Sequence, residues 1–315
     1  MRLGVFLEAF LDRTLDETLK LLASVVPQVR ALEIGVGGFA PAPHCDAVRL
    51  LRDDAARREW SSRIEERGFV VSALNVAGNP LDPDTAVARA HDEDLRNAVQ
   101  FAAALGVDRV VAMTGCPAGT PGDRTAHFDA GGWLPYLAGV GDKQWDDVVG
   151  PYWEKMADFA KREHPELLIC FELHPGTAAH NTETFERFAA ISDNLAANLD
   201  PSHLFWQRMD PLVVASRLSR IGHAHAKDVV FNDDELAVEG LLDRRWSATD
   251  PRAPWTFATV GRGHDAEWWS SFMSLLAERG VETISIEHED PTVSAEEGIA
   301  ASAAVLASSV PAEVR

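Results

Sequence analysis

What most constrains this chain is an alternation. Short apolar, β-rich runs follow one another through the sequence, each separated from the next by a longer stretch with helical periodicity. The runs are Leu3–Ala9, Leu32–Gly35, Phe69–Val76, Arg109–Thr114, Leu167–His174, Leu195–Asp200, Ile221–Ala226 and Thr283–His288. Strands joined through helices run parallel, and eight such units close a (β/α)8 TIM barrel. The chain's 315 residues suit one such barrel, and no low-complexity linker or repeated block divides it, so residues 1–315 read as a single domain. An open, doubly wound sheet is the rival. It wants G-x-G-x-x-G after the first strand, whereas Gly35, Gly37 and Gly38 follow the second with a different spacing.

Helix starts are legible too: Thr14 with Glu17 and Ser294 with Glu297 form capping boxes, Asp84 and Asn181 are N-caps, and the last helix runs through Ala295–Ala307. Two connections are long, Gly115–Trp145 after the fourth strand and Val229–His264 after the seventh. They carry Trp133, Trp145, Trp246 and Trp255, flat side chains suited either to closing over a ligand or to packing the loops onto the barrel. Net charge is −20, which opposes binding to nucleic acid or anionic lipid. No uninterrupted run of about 18 apolar residues occurs, and Arg2 and Glu8 interrupt the first strand, so neither a membrane span nor a secretory signal is expected. The expected setting is cytoplasmic, with Cys45, Cys116 and Cys170 as reduced thiols.

Barrels place their chemistry at the C-terminal strand ends, so polar residues with inward parity there are the candidate site. Ile169, Phe171 and Leu173 pointing outward leave Cys170, Glu172 and His174 on the axis. The same parity turns Asn198 and Asp200 inward, with His203 following, then His223, His225 and Lys227, and finally Glu287. Three carboxylates converging on one axis need a cation or an inner layer of ion pairs. A mostly oxygen shell with one imidazole favours Mn²⁺, with Mg²⁺, Co²⁺ or Zn²⁺ as alternatives, bound by Glu172, Asp200, His225 and Glu287.

These segments carry a family resemblance. Phe171-Glu172-Leu173-His174-Pro175-Gly176, Leu199-Asp200-Pro201-Ser202-His203, Gly222-His223-Ala224-His225-Ala226-Lys227-Asp228 and Ser285-Ile286-Glu287-His288-Glu289-Asp290 resemble the xylose isomerase-like TIM-barrel family of sugar isomerases and epimerases, over nearly the whole chain. The resemblance implies one divalent cation on Glu172, Asp200, His225 and Glu287, with His203 holding substrate. In the ketose 3-epimerase branch, residues matching Glu172 and Glu287 also move protons. Two departures stand out: Ala178 replaces a second carboxylate, and no Arg follows the seventh strand as expected. The Lys227-Asp228 pair instead resembles the branch of inosose dehydratases. The family also includes apurinic endonucleases that use zinc.

The expected reaction is proton abstraction next to a sugar carbonyl by Glu172 and Glu287 through a metal-stabilised enediolate. Loss of a β-hydroxyl from the same intermediate would make a dehydratase. Lys227, held by Asp228, is expected as an acid or electrophile, or as a plain ion pair. His174 and His223 are read as orienting carboxylates, His174 also as a substrate contact. Glu8, Asn75 and Arg262 are further substrate-binding candidates. The His223-x-His225 pair also resembles that of amidohydrolases, metal-dependent hydrolases that carry it on the first strand. The partner expected is a small sugar or sugar derivative. Which sugar, cyclitol, keto-glycoside or phosphate is left open, as is the oligomeric state, a homo-oligomer included.

Overall fold

The computed structural model describes residues 1–130, 134–242 and 249–309. In chain order the strands are β1 (Arg2–Phe6), β2 (Ala31–Gly35), β3 (Val70–Val76), β4 (Arg109–Ala112), β5 (Leu168–Glu172), β6 (Leu195–Leu199), β7 (Ile221–Ala226), β8 (Asp228–Phe231), β9 (Trp255–Ala258) and β10 (Thr283–Ile286). All but β8 and β9 pair in parallel around a closed ring, β1-β10-β7-β6-β5-β4-β3-β2, so the last strand meets the first. Closure leaves no edge strand in the ring, and each strand can bury both faces.

The outward face carries the bulk of the core. Phe171 of β5 sits between Trp153 and Phe188, with ring centroids 4.5 and 5.2 Å away. The inward face begins with a layer of small residues, Ala73, Val111, Cys170 and Ala196. Gly222 completes it by having no side chain: a Cβ there would lie 2.6 Å from Cys170 Sγ and 2.9 Å from Ala196 Cβ. All three cysteines are free and buried. Burial pushes the Cys116 thiol up to about 11 and the Cys170 thiol up to about 12.

The expected helix starts are present. Thr14 and Glu17 exchange capping-box hydrogen bonds, Ser294 and Glu297 do the same, and Asp84 and Asn181 cap their helices. Several strands stop earlier than the apolar pattern suggests. β1 ends at Phe6 because Leu7–Phe10 turns into a 3-10 segment, and β5 and β10 end at Glu172 and Ile286. At the mouth the ladder gives way, and the polar residues beyond it are carried by loop backbone.

The long connection after β7 is more ordered than a loop. β8 and β9 form an antiparallel pair from Asp228↔Ala258 to Phe231↔Trp255, flanking a helix at Asp233–Glu239. Trp255 is buried and stacks on Trp206 at 4.9 Å; Trp145, after β4, packs edge-on to Phe188 at 4.8 Å. Both anchor the long connections, while Trp133 and Trp246 lie outside the described residues. No helix among the described residues is long and apolar enough to cross a membrane.

Two substitutions test this packing. Phe171→Ala is expected to lower unfolding free energy by about 3–5 kcal/mol through a core cavity, and Gly222→Val by about 1–3 kcal/mol through overpacking. Urea unfolding followed by circular dichroism measures both. A neutral Gly222→Val would show that the inner layer has spare room.

Candidate metal centre and active site

Above the small-residue layer the barrel interior becomes polar. Glu33 of β2, Asn75 of β3, Glu172 of β5, Asn198 of β6 and His223 and His225 of β7 are buried, as are Asp200 and Lys227 just past their strand ends; Glu287 is partly open. Strand register aligns them: Glu172 pairs with Asn198, and Asn198 with His223.

Glu172, His225 and Glu287 each offer a donor atom within 4.8 Å of the others. His225 Nδ1 lies 3.0 Å from Glu287 Oε2 and 3.8 Å from Glu172 Oε2. Asp200 stands beside this trio. Its Oδ1 accepts from Ser202 N at 2.8 Å, capping the helix Pro201–Trp206, and its Oδ2 is left 3.1 Å from Lys227 Nζ. Lys227 Nζ is also 2.7 Å from Glu287 Oε2, 3.2 Å from Glu289 Oε1 and 4.7 Å from the Phe257 ring centre. His203, carried on the same short helix, brings Nε2 to 2.7 Å from Glu172 Oε1 and 3.4 Å from Asp200 Oδ2. The His174 ring stands edge-on to His203, 4.2 Å away.

Burial alone would raise the Glu172 and Asp200 carboxyls, but the charges of His203 and Lys227 outweigh it and hold both below their ordinary values. For Glu287 burial wins, and its carboxyl is raised despite Lys227 and His225. Burial works against charge on His225 and Lys227, yet Glu33 and Glu287 lift the first, and Asp200 and Glu287 the second, well above their ordinary values. His174 is pushed down to about 4 by burial and by the neighbouring His203 charge.

Glu33, outside the set read from the sequence, forms the floor of the site. Its carboxylate pairs with His223 Nε2 at 2.9 Å and with His225 Nε2 at 3.0 and 3.1 Å, and it accepts from Asn75 Nδ2 at 2.7 Å. A register shift between Leu32 and Glu33 aligns Glu33 with Ala73, an inner-layer residue. The signal was present in Leu32-Glu33-Ile34, where a charge stands between two outward apolar residues of a barrel strand.

Two expected partnerships differ. Asp228 does not hold Lys227: its carboxylate accepts from the backbone N–H groups of Val229, Gly261, Gly263 and His264 and pairs with His264 Nδ1, so it pins the chain leaving β9. Asp228 opens β8, the antiparallel partner of β9, so its carboxylate meets the chain that leaves β9 rather than Lys227. Arg262 reaches Asp290 at 2.6 Å and Thr292 at 2.7 Å, where the buried Asp290 carboxylate recruits its charge. It is not among the residues lining the central cavity, whereas Glu8, Asn75, Glu172, His174, His203, Lys227 and Glu287 are.

The donor set fits a divalent cation. Asp200 Oδ2, His203 Nε2 and His225 Nδ1 are buried without an aligned hydrogen bond, although charged groups crowd them. Polar atoms gathered round a shared space in this way are what a bound cation satisfies, and carboxylate oxygens beside imidazole nitrogen are donors that a divalent metal ion accepts.

Known proteins share this architecture. Residues 29–309 match the family model described as xylose isomerase-like TIM barrel. The chain is 37% identical over 284 residues to the uncharacterized protein YfiH of Bacillus subtilis (strain 168), covering 88% of this chain and 90% of that one. The fold is similar to the probable 3-DHS dehydratase AsbF of Bacillus anthracis, at 13% identity and a TM-score of 0.67, covering 98% of this chain and 99% of that one. It is also similar to an L-ribulose 3-epimerase, at 14% identity and a TM-score of 0.59, covering 98% and 95%. A family match spanning nearly the whole barrel, together with the identity to YfiH, establishes that this chain belongs to the xylose isomerase-like TIM-barrel family.

Proposed function

We propose that the protein is a divalent-metal-dependent sugar isomerase or epimerase. The observation that carries this reading is that Glu172 and Glu287 both line one cavity and both approach His225 Nδ1, at 3.8 and 3.0 Å, with His203 and Lys227 lining the same cavity. A divalent cation held by Glu172, Asp200, His225 and Glu287 would supply a Lewis acid to the neighbouring oxygens of a hydroxy-ketone. The chain's own groups move the proton. One glutamate takes it from the carbon next to the carbonyl, and the electron pair passes into the carbonyl to give an enediolate. Return from the other glutamate to the opposite face inverts that carbon; return to the neighbouring carbon, with the hydroxyl proton passing to oxygen, exchanges aldose and ketose. His203 and Lys227 hold the substrate oxygens, and His174, kept neutral near pH 7, serves as a hydrogen-bonding wall. Asn75 and Glu8 line the same cavity as further substrate contacts.

The Lys227 ammonium supports a second reading. Set between Asp200 and Glu287 and facing the cavity, it could protonate a departing β-hydroxyl, making the enzyme a keto-sugar or cyclitol dehydratase.

Elemental analysis of the purified protein is expected to find about one divalent cation per chain, with turnover abolished by EDTA and restored by Mn²⁺. At saturating Mn²⁺, Glu172→Gln and Glu287→Gln are each expected to lower turnover by about a hundredfold or more. Product formed in D₂O should carry deuterium at the reacting carbon. Near wild-type turnover in either variant with metal bound would rule out the two-glutamate mechanism.

Glu33→Gln isolates the floor. It is expected to weaken Mn²⁺ affinity by about 10–100-fold by loosening the His225 ring, read by chelator competition independently of turnover. An unchanged affinity would reduce Glu33 to a charge balance.

Glu8 gives a pH test. Its side chain is open at the cavity mouth, yet the surrounding protein and the charges of Glu287 and Glu289 raise its carboxyl from 4.5 to about 7. The folded protein therefore keeps a proton there that the unfolded chain has lost, and the resulting contribution to stability fades as pH rises from about 4.5 to about 7. Glu8→Gln, compared with wild type in EDTA, is expected to gain relative stability across that window and level off above it. A flat difference would contradict the raised carboxyl.

A further inference from the structure

The cavity over the glutamates continues into two more. A second cavity shares Phe39, Met113 and His174 with the first, and a third shares Cys116 and Thr177 with the second. Their volumes are about 220, 240 and 220 Å³ in that order, so the far end is as roomy as the end beside the carboxylates. Together they form a groove running outward between the loops after β4 and β5.

Both banks are built. Ala178 N donates to Gly115 O at 2.8 Å and Ala179 N to Thr114 Oγ1 at 2.9 Å, tying the two loops at their bases. The buried Gln144 side chain donates to the carbonyls of Pro117, Ala118 and His127, which keeps the β4 loop folded around its Ala118–Ala126 bridge.

The lining changes along the way. Met113, Cys116, Pro175 and Gly176 make an uncharged neck. Beyond it come Asp129, Asp142, His180 and Arg187 with the rings of Phe128 and Trp145. His180 Nδ1 is buried without a hydrogen-bond partner among the described residues. Aromatic rings beside carboxylate and imidazole groups match the two surfaces of a sugar, its C–H faces and its hydroxyls.

We infer that the ligand is a chain of linked rings: a reacting sugar over Glu172 and Glu287, a second glycosyl unit in the neck and a third in the far cavity. This rests on the proposed function for the position of the reacting ring. The substrate class is then an oligosaccharide or an extended glycoside.

Calorimetric titration of the full-length, Mn²⁺-supplemented protein tests it with D-fructose, the ketose disaccharides lactulose, maltulose and palatinose, the ketose trisaccharide maltotriulose, and phenyl glycosides. At least one disaccharide is expected to bind about tenfold or more tightly than D-fructose. Ala126 is exposed and lines the neck, so Ala126→Trp should narrow the groove with the fold intact, checked by its melting temperature. It is expected to weaken disaccharide binding at least about tenfold more than D-fructose binding. D-Fructose binding with no disaccharide advantage, or an advantage that survives Ala126→Trp, overturns the groove while leaving the reacting end standing. Tighter binding of phenyl glycosides than of disaccharides overturns the assignment of the neck to a sugar, and no gain from maltulose to maltotriulose overturns that of the far cavity. Binding of no sugar at all overturns this inference and the proposed function together.

Discussion

The structure rests on burying unlike charges together on the barrel axis. Glu33, Asp200, His225 and Lys227 have almost no contact with solvent, and any one of them alone would cost several kcal/mol of desolvation. They are stable as a set: Glu33 against His223 and His225, and Asp200, Glu287 and Glu289 around Lys227. The closed ring of strands makes this possible, since each strand contributes inward residues at defined heights while its outward face packs under helices.

That charge layer also explains the surrounding architecture. Phe257 of β9 covers the Lys227 ammonium and stands edge-on to His203, so the hairpin after β7 closes the polar site with an aromatic surface. Asp228, one residue beyond Lys227, fastens the chain that leaves this hairpin through backbone donors at Gly261, Gly263 and His264. Gly263 has to be glycine, because a Cβ there would lie 1.9 Å from Val229 O. β7 and the two residues that follow it thus hold the floor through His225, the wall through Lys227 and the chain leaving the hairpin through Asp228.

Much of this was legible in the sequence because strand parity is a local property. Ile169, Phe171 and Leu173 pointing outward left Glu172 no direction but the axis, and the same reasoning turned Asp200, His225 and Glu287 inward. Glu33 escaped because a single charge within a four-residue apolar run reads as noise, and its partners lie 190 and 192 residues away. The β8–β9 pair escaped because Val229–Phe231 and Trp255–Phe257 are too short and too far apart to announce a hairpin.

The sequence by itself determined the alternation of strand and helix, the barrel, and which residues point inward, since these follow from a periodicity of two or of about 3.6 residues. Only the tertiary structure decided who meets whom. Glu33 joins His225, Asp228 fastens the chain leaving β9, Arg262 goes to Asp290, and the loops after β4 and β5 enclose a groove that neither loop contains. Those choices belong to the ring closure and to the register between strands, which bring distant residues to the same height on the axis, and no local pattern encodes them.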